Sequence, residues 1–496
     1  MSKAQIGKLL AKIVVGKFQQ NQQRKAQKKQ DTQARAGRSN VMVNKQSNND
    51  PIYPLYGRQR IGGTRAFVEA SDGAGNVQGI DGAGEATNTT TLNLIIAMCE
   101  GEIGDIEQLW FNDTVVWDSS VNGTKTLLAS KGYQLQNFMT GTKYSGAVMD
   151  ITWYPGDDYQ LVDQTIQSSV SAAVWPNLSQ LAGISYLALK LTASEKFGGQ
   201  LPTFNATLVG KKIFSLQEIQ DGWTVADLAN NSWVSGPNQN PADVLYDYLI
   251  SDRFGKGLDR LADGSWQAGT NINIASFKQA RIDCIAARNN AGYRVNGFLQ
   301  TEKQIFDNVS EILETCNGML LFVDGKYELR IQKKQEQLNL PSSSIFTKDE
   351  IVGEIGLTLP TKTTRLNKVT GLFNNAAEKW NDDLVIFQSD PFTLEDNGSV
   401  LEAQEDYTMI TDANIVTDLI TQMANISRDQ YQVALTVAHV GLLLKSGDII
   451  EIRHDDFGWG IAAGQTQKYW RVQELVLTED NTVEITATTY NSALEL

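Results

Sequence analysis

Apolar positions recur along this chain with two different periods, and the switches between them mark its organisation. From Pro51 the signal is β. Ile52–Val68, IYPLYGRQRIGGTRAFV, reads as two short runs around Gly-containing turns. TLNLIIAMCEGEIGDIEQLWFNDTVVW (Thr91–Trp117) holds an apolar run, a Gly-rich acidic turn and an alternating strand that ends at an Asn112-Asp113 turn. MDITWYPG (Met149–Gly156), GISYLALKL (Gly183–Leu191) and TFNATLVGKKI (Thr203–Ile213) have the same character. This spacing and turn chemistry predict a barrel or sandwich with insertions.

The period then lengthens. PADVLYDYLISD (Pro241–Asp252) has Pro at a first-turn position and places Val244, Leu245, Tyr248 and Leu249 on one helical face. Helical spacing continues over Ala275–Asn289 and Glu302–Cys316, and Asn317-Gly318 marks its end. MLLFVDGKYELRIQK (Met319–Lys333) follows as a hairpin on Asp324-Gly325, the strongest short-range hairpin signal in the chain. After Ile351 the β pattern returns in NKVTGLF, YQVALTVAHV, DIIEIRH, YWRVQELVL and VEITATTY. A helix from Asp412 to about Ile426 interrupts it, and a turn falls at Gly447-Asp448.

Length and charge refine this picture. A chain of 496 residues, 41% of them hydrophobic, exceeds what one core organises and predicts two to four globular domains. Cys99, Cys284 and Cys316 are few, odd in number and in no CxxC pair, so they suggest buried small hydrophobes rather than disulfides or a zinc ribbon. No stretch reaches the ~18 apolar residues of a membrane span. Lys8, Lys12 and Lys17 interrupt the apolar start and no small-residue cleavage site follows, which predicts that this segment is retained.

Charge is distributed unevenly. Residues 1–45 hold eleven Lys/Arg against Asp31 alone, a net of +10; the formal total is −14, which leaves −24 on the other 451 residues. Ile6, Leu9, Leu10, Ile13 and Val14 fall at helical spacing among Lys3, Lys8, Lys12 and Lys17, so the arm predicts a short amphipathic helix. Beyond it, Gln19–Arg38 is Gln, Lys, Arg and Ala with almost nothing to bury. Nucleic-acid binding has the charge but not the interleaved aromatics, since Phe18 stands alone. A membrane-surface helix, a solvated tail and docking on a partner remain open.

Catalytic signatures are missing. Two histidines occur, His439 and His454, and neither adjoins a motif; GxSxG, HExxH and Walker patterns are all absent. The near-repeat DGAG at Asp72–Gly75 and Asp81–Gly84 lacks both phosphate-loop and calcium-loop spacing and reads as a surface loop. Glu100/Glu102 and Asp157/Asp158 read as exposed acidic turns, because carboxylate separation in a glycosidase is a property of the fold. The ten Trp are scattered without a repeat and predict core or interface anchors rather than a sugar-binding groove. No enzyme, metal or cofactor is expected.

In order along the chain, the motifs resemble those of bacteriophage central tail-hub proteins. These are the hub regions of lambda-type tail-tip proteins and the related baseplate hubs of contractile tails and gene transfer agents. The matching stretches are PLYGRQRIGGTRAFV (Pro54–Val68), LIIAMCEGEIGDIEQLWFND (Leu94–Asp113), GISYLALKL and NPADVLYDYLISDRFGKGL (Asn240–Leu258). GMLLFVDGKYELR (Gly318–Arg330), LLKSGDIIEI (Leu443–Ile452), KYWRVQEL and TATTYN complete the series. Each motif alone is weak; eight in register, spanning about 51–496, are fairly specific.

The resemblance implies an α+β, mainly β fold: two tail-tube-like β-barrel modules separated by a helix-containing middle domain, with a basic helical arm in front. The expected boundaries are 1–50 for the arm and 51–215 for the first barrel, with an insertion around 113–180. The α/β middle domain is expected at 216–350 and the second barrel at 351–496. Motif positions expected to be structural are Gly57, Arg58, Gly62, Gly63, Glu100, Gly101, Glu102, Pro241, Asp252, Arg253, Gly255, Gly325, Gly447, Asp448, Trp470 and Tyr490. The arm, which the family pattern does not match, supplies candidate partner-binding residues: Lys3, Lys8, Lys12, Lys17, Arg24, Lys25, Lys28, Lys29, Arg35 and Arg38.

Functionally, the resemblance implies a homotrimer in the tail tip of a virion, synthesised in the host cytoplasm and adapting a sixfold tail tube to threefold tip structures. Expected partners are a distal tail or tail-tube protein and the tape-measure protein, with DNA crossing the lumen unbound. Lambda-type proteins continue into fibre regions after the hub, so receptor binding is expected on a separate fibre protein. The competing readings are a tail-associated glycan hydrolase and a carbohydrate-binding adhesin.

Overall fold

The computed structural model describes residues 44–45, 51–71, 77–78, 91–170, 172–197, 201–228, 233–234, 239–332, 340–359, 364–429 and 431–494. The basic arm up to Val43 and most of the Gly-rich loop lie outside these residues. The fold is α+β and mainly β, as the motif series implied. The chain divides into two compact units, one drawn from Met1–Ile52, Arg60–Cys99 and Ile106–Leu208, the other from Tyr53–Gln59, Glu100–Asp105 and Val209–Leu496.

The first unit is organised by a seven-stranded sheet. Its order is Val77–Gln78, Thr64–Ser71, Thr91–Glu100, Ile184–Thr192, Met149–Tyr154, Tyr133–Gln136, Thr124–Leu127. Leu94 to Cys99 are buried without a break, so this run is a strand covered on both faces rather than an alternating one. A short helix, α1 (Gln164–Val170), was not legible in the periodicity; it seats Ile166 and Val170 against Ile95, Tyr154, Tyr186 and Ala188. In the same unit Gln108–Phe111 pairs antiparallel with Thr114–Asp118, with Asn112 at φ 51° in the expected turn.

The second unit holds two cores. The larger is built on helices α2 (Pro241–Ile250), α3 (Ile274–Asn290) and α4 (Ile305–Glu314), beside the Gly318–Val323/Lys326–Ile331 hairpin. At the hairpin tip Asp324 (φ 51°) and Gly325 (φ 79°) are both left-handed, as a type I′ turn requires. Helix α2 starts where Pro241 predicts it, with Asn240 as N-cap accepting from the Ala242 N–H at 2.9 Å. It differs from expectation in one respect. Pro241–Tyr246, Tyr248 and Leu249 are all buried, so the helix is wrapped on every side rather than amphipathic.

That same core takes in later chain. Strand Lys368–Asn375 pairs antiparallel with Asn381–Gln388 and parallel with Glu402–Tyr407. Helix α5 (Ala413–Arg428), capped by Asp412, lies on this sheet, and Val369, Phe373, Ile415, Val416, Leu419 and Ile420 join the core of α2–α4. The second core belongs to a six-stranded sheet ordered Ile345–Phe346, Ile449–Ile452, Tyr469–Leu477, Val483–Tyr490, Gln432–Val437, Gly356–Thr358. Phe346, Val433, Ile450, Trp470, Val472 and Ile485 fill it.

Candidate functional site: ion-paired junctions built from the motifs

Motif residues far apart in sequence meet in three polar clusters. In the first unit Arg60, 2% exposed, lies with its guanidinium 4.1 Å from the Trp110 ring centroid. It donates to the Asn112 carbonyl at 2.8 Å and pairs with Asp113 at 3.5 Å. Burial lowers its pKa, and Asp113 works against that shift. Nearby, Gly63 has φ +66°, and a Cβ there would sit 2.5 Å from the Ala97 carbonyl oxygen; the Gly62 carbonyl accepts from the Asn44 amide. Gly63 is thus forced by its backbone conformation and by close backbone packing.

In the second unit the YGR, CEGE, VGKK and DRFG segments converge. The Gly57 N–H donates to Gln239 Oε1 at 2.7 Å and the Arg58 N–H to Asn296 Oδ1 at 2.8 Å. Gly57 is left-handed at φ +68°, and a Cβ would lie 2.0 Å from the Val295 carbonyl oxygen. Lys211 Nζ reaches Asp247 Oδ2 at 2.7 Å, and the buried Tyr56 phenol donates to the same carboxylate. Burial, followed by Asp247, pushes the Tyr56 phenol far up, so it stays protonated as a donor. Arg253 Nε pairs with Glu100 at 2.6 Å, and Lys212 pairs with Glu102 across the Gly101 turn (φ +89°). Burial raises the Glu100 pKa, with Arg253 and Lys211 opposing.

Gly255 is required by contact alone: a Cβ would fall 1.7 Å from the Tyr248 carbonyl oxygen. Asp252 stands apart on the surface and pairs with Arg260 at 3.0 Å.

The third cluster joins the hairpin motif to the LLKSGDIIEI motif. Arg330 pairs with Asp448 at 2.6 Å, donates to the Ser446 carbonyl at 3.2 Å, and flanks Gly447, which is left-handed at φ +86°. Lys445 pairs with the buried Glu328 at 3.1 Å. Beside these contacts opens a cavity of about 560 Å³, lined in part by Gln279, Asp283, Arg330, Ser343, Asp448 and Arg471. Trp470 is buried in the sheet core, and the Arg471 guanidinium lies over the Tyr490 ring at 5.0 Å.

Each cluster joins carboxylates to cations or backbone donors, an arrangement that clamps segments and aligns no nucleophile with a base. Among the described residues no three His, Cys, Asp or Glu converge as metal ligands, and no helix is long and apolar enough to cross a membrane. The ten arm candidates, Lys3 to Arg38, lie outside the described residues. Arg60, Lys211, Asp247, Arg330 and Lys445 were not singled out from sequence. Arg60, Asp247, Arg330 and Lys445 lie inside the quoted family motifs and Lys211 inside the quoted Thr203–Ile213 strand, which was the available signal. For Lys211 and Asp247 only folding brings the partners together.

No family model matches the chain. Baseplate hub protein pb3 of Escherichia phage T5 is 21% identical over 495 aligned residues, which cover 88% of this chain and 47% of that protein. The chain therefore spans about half the length of this curated relative. Among solved structures, a chain of the virion of a native gene transfer agent particle matches with TM-score 0.60 at 15% identity, over 91% of this chain and 87% of the other. That likeness establishes a shared fold with a virion chain. Together the comparisons show similarity to structural proteins of phage tails and virions. The sequence similarity to a baseplate hub protein and the shared fold support the resemblance to bacteriophage tail-hub proteins that the motif series indicated.

Proposed function

We propose that this chain is the trimeric central hub of a phage tail tip or baseplate. Its two β modules per copy form a pseudo-sixfold ring, which adapts a hexameric tail tube to threefold tip structures. The ring closes the lumen around the tape-measure protein before ejection and passes DNA afterwards. The role is structural, not enzymatic, and follows synthesis in the host cytoplasm.

The observation that carries this reading is similarity to a baseplate hub protein over nearly the whole chain. The acidic body, −24 outside the arm, suits a lumen that repels phosphate. Imaging of the purified chain with its tail-tube partner tests the proposal: threefold rings are expected, and a persistent monomer overturns it. Clearing of peptidoglycan or capsule by the pure protein would overturn the non-enzymatic reading.

A further inference from the structure

The three-stranded sheet of the second unit is covered on one face and open on the other. Helix α5 presses on the covered face so closely that a Cβ at Gly371 would lie 2.4 Å from Val416 Cγ1. On the opposite face the register sets Leu372 beside Leu384 and Thr370 beside Ile386. Leu384 and Ile386 are 51% and 52% exposed. An antiparallel ribbon with one packed face ordinarily turns polar residues outward, so two large aliphatics at its centre mark an interaction surface. Strand Asn381–Gln388 is also an edge. It pairs through all eight residues with Lys368–Asn375 without a bulge, and no strand among the described residues takes its other side. Long flat edges of this kind are templates for another chain.

The surroundings specify the occupant. Residues 376–406 contain nine Asp/Glu and one Lys. Glu395 and Asp396 are neutralised by Arg428 and Glu402 by Lys368, whereas the exposed Asp382, on the same face as Leu384 and Ile386, accepts from the Asn374 amide. Another acidic body would be repelled here. The complementary sequence is the chain's own N-terminal segment, where Ile6, Leu9, Leu10, Ile13 and Val14 are spaced for an apolar stripe among Lys3, Lys8, Lys12 and Lys17.

We propose that the open Leu372–Leu384–Ile386 face with Asp382 at its rim is a docking surface for the basic N-terminal segment of a neighbouring copy of this chain. This rests on the ring assembly proposed above, because only an assembly keeps copies adjacent. The segment lays its aliphatic positions on the sheet and its lysines on the carboxylate rim, so that the arm ties one subunit to the next.

The test uses full chains. A mixture of isotopically light and heavy protein is treated with a carbodiimide, which joins Lys to Asp or Glu only at contact. Mixed-isotope links from Lys3, Lys8, Lys12 or Lys17 to Asp382 are expected. Their yield should fall as salt rises from about 50 to about 500 mM, where the Debye length shrinks from ~14 to ~4 Å. The pair Leu384→Lys and Ile386→Lys should cut it at least about tenfold, equivalent to ~1.4 kcal/mol, while Val121→Lys in the first unit leaves it unchanged. A Leu384→Ser, Ile386→Ser version with an unaltered melting curve guards against misfolding.

Links confined to one copy, absent links, or links indifferent to these substitutions each overturn the proposal. Threefold rings seen by imaging without such links would leave the hub reading standing and sink this one.

Discussion

Gly57 and Gly255 show how sterics alone can select a residue. At Gly57 a side chain would meet both the left-handed backbone and the Val295 carbonyl oxygen; at Gly255 it would overlap the Tyr248 carbonyl. Gly57→Ala and Gly255→Ala should each lower stability by about 2–3 kcal/mol, read as a shift in denaturant midpoint. Gly325, whose Cβ would meet nothing within 4 Å, should tolerate Ala better, losing about 1 kcal/mol from its positive φ alone.

Asp396 carries a pH prediction at the same scale. Burial opposes its ionisation, but hydrogen bonds from Arg428 at 2.6 Å and Asn367 at 2.9 Å outweigh that and hold its pKa below the usual carboxylate value. A depressed folded pKa contributes stability above the unfolded value of about 3.9, and that stability is lost as pH falls through the folded value. Asp396→Asn should therefore melt below the wild type at neutral pH and converge with it in acid, as thermal melts across pH will show. A gap that widens toward low pH contradicts this assignment.

At the scale of elements, the hairpin Gly318–Ile331 and the turn before Ile449–Ile452 are joined by two ion pairs, Arg330–Asp448 and Lys445–Glu328. A double-mutant cycle on Arg330→Ala and Asp448→Ala should return a coupling of about 0.5–2 kcal/mol, because both side chains are largely shielded from water. The pair Arg260–Asp252, with Asp252 exposed, should couple by under about 0.5 kcal/mol in the same experiment. Helix boundaries were readable to within a few residues, since caps are local: Asn240-Pro241 starts α2 and Asp412 caps α5. The burial of α2 on every side was not readable, because it depends on what packs around the helix.

For the molecule as a whole, charge asymmetry makes the sharpest prediction. Deleting residues 1–38 removes ten basic residues and Asp31. The melting of the remaining chain should stay within about 0.5 kcal/mol of the parent, since no described contact is removed, while incorporation into tails falls. Unchanged tail assembly and ejection would show the arm to be a solvated tail. Under the docking proposal the loss appears in subunit association, measurable by sedimentation as a weaker self-association constant.

The sequence by itself determined the local and the additive: strand and helix periods, the Asp324-Gly325 turn, the caps, the acidic body with its basic arm, and the ordered motifs of the tail-hub family. These depend on a few neighbouring residues or on sums over the chain. Tertiary structure decided which distant segments meet. It brought Lys211 to Asp247 and Arg330 to Asp448, and it placed Lys368–Asn375 and α5 in the same core as α2–α4. It also left Leu384 and Ile386 uncovered. An alternating strand reads alike whether its outer face meets water or another chain, and an ion pair has no signature until both partners are brought within about 4 Å.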